Sequence, residues 1–160
     1  MNRDELFLTV SKGNQEAANF LTVMVSVLHV WDDLIDKDKP VAPQTITNTF
    51  IAALVALPRN PFYGRHFDVL NPVLMSAINN WLVANELEFG DDEDDKRIAF
   101  ISRSSYVDLI TTVAFIVGGL DWVKEIGPSI RRFAHSEGWE GYLVNLQAER
   151  DARARVLSGE

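Results

Sequence analysis

Asp32, Asp33 and Asp36 form the densest cluster of acids set among apolar residues in this sequence. They read Asp-Asp-Leu-Ile-Asp at the end of an apolar run that begins near Phe20. On a helix, residues four apart lie one above the other, so Asp32 stacks over Asp36 and His29 over Asp33. Three carboxylates on one turn repel each other, and the interleaved Trp31, Leu34 and Ile35 offer no relief. A divalent cation, Mg²⁺ or Mn²⁺, is the simplest counter-charge, which makes the three aspartates the expected metal ligands. His29 is a candidate ligand or acid/base; the competing reading is a hydrogen-bonded core or cleft histidine. Asp108, among Val107, Leu109 and Ile110, is the best isolated candidate for a catalytic carboxylate. Its competing role is a structural hydrogen bond, and Arg103 is a candidate anion contact or partner, against the favoured reading of a solvated side chain.

These groups need elements to hold them, and the apolar period is helical throughout. A first helix is expected over Arg3–Ser11, stopping at Gly13, and a long second one over Gln15–Asp36, capped by Asn14. The latter ends before Lys39-Pro40. A third spans Thr45–Leu57 and stops at Pro58, and Arg59–Asp68 reads as a loop or single turn. Asn71-Pro72 looks like an N-cap followed by the first helical position, opening a fourth helix to Phe89. A fifth covers Glu93–Val117 and is closed by Gly118-Gly119. A sixth runs over Asp121–Ser136 with a break at Gly127-Pro128, and a seventh over Trp139–Leu157 with a tail expected to fray. The acids Asp91–Asp95 fall at a turn and helix start, where they suit the helix dipole. The expectation is one all-α domain over residues 1–160, a bundle of about six to seven helices.

Polar residues on the second helix recur at three- and four-residue spacing: Asn19, Thr22, Ser26, His29, Asp33 and Asp36. Ser76, Asn79, Asn80 and Glu86 repeat the pattern on the fourth helix. Ser104, Ser105, Asp108, Thr111 and Thr112 do so on the fifth. Buried polar groups need partners, so three such stripes suggest one polar cleft. The alternative is that each stripe is a weakly solvated outer face.

The composition excludes several classes of function. At 160 residues, with 47% hydrophobic and 24% charged residues, the chain matches an ordinary globular domain. A net charge of −8 argues against nucleic acid or an anionic membrane as the main partner. The absence of cysteine rules out disulfides and thiolate metal sites. The opening Met-Asn-Arg-Asp-Glu-Leu lacks a signal-peptide layout, and the interrupted run from Phe20 to Ile35 is short for a bilayer span. A cytoplasmic location is the resulting expectation.

The stretch His29-Val30-Trp31-Asp32-Asp33-Leu34-Ile35-Asp36-Lys37-Asp38-Lys39-Pro40-Val41 resembles the first aspartate-rich motif of trans-isoprenyl diphosphate synthases and terpenoid synthases. The resemblance covers about fifteen residues. It implies an all-α bundle around a cavity, with Asp32, Asp33 and Asp36 holding Mg²⁺ against a substrate diphosphate. Lys37 and Lys39 stand where that family places a basic pair contacting diphosphate. No second aspartate-rich motif accompanies it, which favours a smaller metal-binding relative over a prenyl-chain synthase. The leading expectation is a Mg²⁺-dependent protein that binds or acts on a diphosphate or nucleotide phosphate. The alternative is a non-enzymatic helical binding or assembly protein, including a homo-oligomer, whose acids are structural or face a partner.

Overall fold

A computed structural model describes residues 1–37 and 39–159. The protein is an all-α helical bundle, with no strand among the described residues. Its helices are α1 (Arg3–Val10), α2 (Gln15–Asp36), α3 (Pro43–Ile51), α4 (Leu57–Arg59), α5 (Pro61–Arg65), α6 (Phe67–Leu87), α7 (Glu93–Ser102), α8 (Val107–Ala134) and α9 (Gly138–Ser158). A π-helical turn, Ala52–Ala56, joins α3 to α4. The chain divides into two compact units. The first comprises Met1–Thr22 and Asn60–Ser136; the second comprises Val23–Arg59 and the chain from Glu137 onward.

Local signals explain several helix ends. Asn2 and Glu5 form a reciprocal capping box that starts α1. Asn14 Oδ1 accepts from Ala17 N at 3.1 Å and opens α2. Asp92 Oδ1 accepts from Asp95 N at 2.9 Å and opens α7, with Glu93, Asp94 and Asp95 in the first turn where the helix dipole favours them. Lys37, at φ 54°, ends α2 in a left-handed conformation that side chains rarely adopt.

The proline signals behave differently from the expectation. At Asn60-Pro61 the cap-and-proline pair does start a helix: Asn60 Oδ1 accepts from Tyr63 N, and its Nδ2 donates to Glu16 O, both at 2.9 Å. Of the loop or single turn expected over Arg59–Asp68, the structure takes the turn, as the five-residue α5, and α6 already begins at Phe67. At Asn71-Pro72 it does not, because α6 has already begun at Phe67, and Asn71 Oδ1 instead accepts from the Tyr63 hydroxyl at 3.0 Å. Pro58 and Pro128 likewise sit inside helical segments. Ile126 and Ile130, one turn apart and both buried, carry α8 past Pro128, whose ring is exposed.

The expected helix over Glu93–Val117 is two helices, broken by a turn at residues 103–106. The Gly118-Gly119 stop is present as a kink. Gly119 takes φ 75° and ψ −169°, a conformation open to glycine. A Cβ on Gly118 would fall 2.6 Å from the Trp122 side chain. That approach leaves Trp122 Nε1 donating to Val10 O at 2.9 Å, which ties α8 to α1.

In the first unit, Phe7, Val10, Phe20, Leu21, Leu70, Leu109, Ile110, Val113 and Ile130 are fully buried. Each such side chain contributes roughly 1.5–3 kcal/mol by leaving water. The Phe20 ring centroid lies 4.9 Å from that of Tyr63 and 6.3 Å from that of Phe62. The second unit buries Met24, Val25, Leu57, Tyr142 and Leu146, but no residue of α3 or of the π-helical turn. Helix α2 is long and apolar enough to cross a membrane by length and composition, and a second such stretch lies within Glu93–Ser158.

Candidate functional site

The C-terminal end of α2 gathers Asp33, Lys37 and Lys39 around one recess of about 340 Å³. Left-handed Lys37 turns the chain away from the helix axis, and Pro40 favours extended backbone in the residue before it. The chain then re-enters a helix at Pro43, the first position of α3. Leu34 and Val41 supply an apolar wall, joined by Val156 from the last turns of α9. Lys39 Nζ lies 3.2 Å from Asp33 Oδ1, with both side chains reached by water. The lysine therefore supplies the counter-charge that the acidic turn needed.

The three aspartates have unlike surroundings. Asp33 is taken by Lys39, and Asp36 is only 6% exposed. Asp32 is half-buried, whereas His29 is exposed. His29, Asp32 and Asp36 each make further interactions within the protein. Among the described residues, no group of three or more His, Cys, Asp or Glu side chains is disposed to hold a metal ion. As placed, the acids do not form a ligand set for Mg²⁺ or Mn²⁺.

Asp108 stands in the first turn of α8, where a carboxylate meets the positive end of the helix dipole. Its side chain is 44% exposed, and its Oδ1 accepts from Arg131 Nη2 at 3.4 Å. Arg103, expected from sequence as a solvated side chain or else a partner of Asp108, pairs with Glu88 at 2.7 Å, and both side chains are largely buried. Four residues of the candidate polar stripes, Asn80, Ser105, Thr111 and Thr112, are hydrogen-bonded within the protein. Thr111 and Thr112 donate to the carbonyls of Val107 and Asp108, one turn back on the same helix. Asn80 Nδ2 donates to Ser105 Oγ, which donates to Ser102 O in the turn between α7 and α8. These hydroxyls and amides need no water-filled cleft to be satisfied.

In the basic and aromatic segment around α5, Arg65 pairs with Glu16 at 2.8 Å. The Tyr63 ring packs tilted against those of Phe20 and Phe67, and burial pushes its hydroxyl pKa up from the usual tyrosine value. Val156 is the recess residue that sequence reasoning missed, since it belongs to the stretch expected to fray. No periodic or motif signal ties it to Lys37. No family model, curated protein or solved structure matches this chain.

Proposed function

We propose that the protein is a binding protein for a phosphate-bearing small molecule, held at the C-terminal end of α2. The observation that carries this reading is the convergence of Lys37, Lys39 and Asp33 on one recess with an apolar wall. Two ammonium groups provide charge-assisted hydrogen bonds to phosphate oxygens, and Leu34, Val41 and Val156 offer contact to an apolar portion. The recess volume falls in the range of small-ligand sites. Asp32, Asp33 and Asp36 are the acids that a divalent cation would recruit, but their present arrangement supports phosphate binding by the lysines alone. The pairing of Asp108 with Arg131, and of Glu88 with Arg103, favours structural roles for those carboxylates, hence binding over catalysis.

Calorimetric titration with pyrophosphate tests the reading. Wild type should bind with and without Mg²⁺, and Lys37→Ala with Lys39→Ala should weaken binding by about tenfold or more. Absence of binding at millimolar pyrophosphate, or equal binding by the double variant, contradicts it.

A second reading, self-association, has its own support. Phe50, Ile51, Leu54 and Val55 are exposed and recur one turn apart on a segment with no buried residue. No charged residue lies between Val41 and Pro58, whereas the whole chain carries a net charge of −8. A second copy of the chain can therefore approach this face with less like-charge repulsion than elsewhere. Light scattering on wild type and Leu54→Glu tests it: a dimer reduced to a monomer supports assembly, and a monomeric wild type rejects it.

A further inference from the structure

A second recess lies within the first unit and shares no lining residue with the recess at the end of α2. It has a volume of about 400 Å³, and its polar lining is Ser11, Lys12, Asn14, Arg65 and His66. No acid lines it, although the chain carries 23 acidic residues against 15 lysines and arginines. Phe62, Ile116 and Val117 complete the wall.

Ser11 points to a ligand. The residue is 0% exposed, and its hydroxyl has no hydrogen-bond partner. Its backbone is satisfied, because Ser11 N donates to Phe7 O at 3.1 Å and Ser11 O accepts from Asn14 N at 3.0 Å. The side-chain oxygen alone is left over, buried just behind the recess that Ser11 helps to line. A buried hydroxyl without a partner is costly, so such groups mark places where a partner belongs.

The surrounding groups define that partner as an anion. Lys12 is held at φ 50°, with its ammonium 4.8 Å from the centroid of the Trp122 ring, an attraction that leaves its N–H donors available. Arg65 gives one nitrogen, Nη2, to Glu16 and retains other donors. Asn14 uses its oxygen to cap α2, so its amide nitrogen can donate, and the first turn of α2 adds the positive end of a helix dipole.

We propose that this recess binds a small ligand with an oxyanion head and an apolar body. Ser11, Lys12 and Asn14 take the head, and Phe62, Ile116 and Val117 take the body. Phosphate and carboxylate heads share this chemistry.

Calorimetric titrations of the full chain with phenyl phosphate, benzoate and phenol test the proposal. They are carried out in wild type and in the Lys37→Ala/Lys39→Ala background, so that the recess at the end of α2 is silenced separately. At least one of the two anions should bind in both backgrounds, and phenol at least about tenfold more weakly. The tighter anion identifies the head group. Ser11→Ala should raise the melting temperature of the free protein, because it removes an unpaired buried hydroxyl, and should weaken anion binding by about tenfold. Lys12→Met should weaken it as well. Three results overturn the proposal: neither anion binding at millimolar concentration, phenol binding as tightly as the anions, or unchanged affinity in Ser11→Ala.

Discussion

Neutralising Asp33 separates a lysine-based phosphate site from a metal-based one by the sign of the effect. In the structure, Asp33 holds Lys39 at 3.2 Å, with side chains 30% and 61% exposed. At that distance two unit charges attract by about 1.3 kcal/mol in a water-like dielectric. Side-chain entropy and solvent screening reduce the net value to roughly 0.5 kcal/mol for an exposed pair. Asp33→Asn should therefore shift the melting temperature by no more than about 2 °C. The same change releases Lys39 and removes a negative charge from the recess, so metal-free pyrophosphate should bind about two- to fivefold more tightly. A metal-bridged site behaves in the opposite way, because it loses a ligand and binds more weakly. Calorimetry in chelator and in millimolar Mg²⁺ reads both cases. Weaker binding of pyrophosphate to Asp33→Asn, confined to the Mg²⁺ arm, would refute a site built on the lysines alone.

Three further outcomes follow from the packing. Gly118→Ala places a Cβ 2.6 Å from Trp122, breaks its bond to Val10 O, and should lower stability by roughly 1–3 kcal/mol in denaturant titrations. Arg103→Met removes the cation paired at 2.7 Å with the largely buried Glu88 carboxylate and should destabilise by roughly 1–4 kcal/mol near neutral pH, with part of the loss recovered in Glu88→Gln/Arg103→Met. The Tyr63 hydroxyl pKa is raised by burial, so above about pH 10 the unfolded chain loses this proton before the folded one. Stability should therefore fall as pH rises through that range, and the fall should be shallower in Tyr63→Phe.

Helix α2 shows how far a sequence can be read. Its bounds follow from Asn14 as cap, an unbroken apolar period and the approach of Pro40, all local causes. The acidic run at Asp91–Asp95 is legible for the same reason, since capping and dipole act within one turn. Proline is where local reading failed. Asn60-Pro61 and Asn71-Pro72 look alike, yet only the first starts a helix, because Asn60 also bonds Glu16 O, 44 residues away, while Asn71 is claimed by Tyr63. Arg103 is neither the solvated side chain that the sequence favoured nor the partner of Asp108 that it allowed: it is largely buried against Glu88. The turn at residues 103–106 separates α7 from α8, and that turn carries no glycine or proline to announce it. Lys37 and Lys39 were legible as cations beside the acids, through a resemblance and their nearness in sequence. Val156 at their recess was not, because nothing in the α9 sequence encodes which recess it closes. Ser11 was hidden for the opposite reason: a serine beside Lys12-Gly13 reads as an ordinary helix end.

Amide chemical-shift mapping during a pyrophosphate titration tests the proposed lysine-based site most directly. Asp33, Leu34, Lys37, Lys39 and Val41 line that site, and Val156 reports from a distant part of the sequence. Saturable shifts should concentrate on Asp33, Lys37, Lys39, Val41 and Val156, appear without Mg²⁺, and be lost in Lys37→Ala/Lys39→Ala. Shifts confined to Ser11, Lys12 and His66, or no shifts at millimolar pyrophosphate, would contradict it.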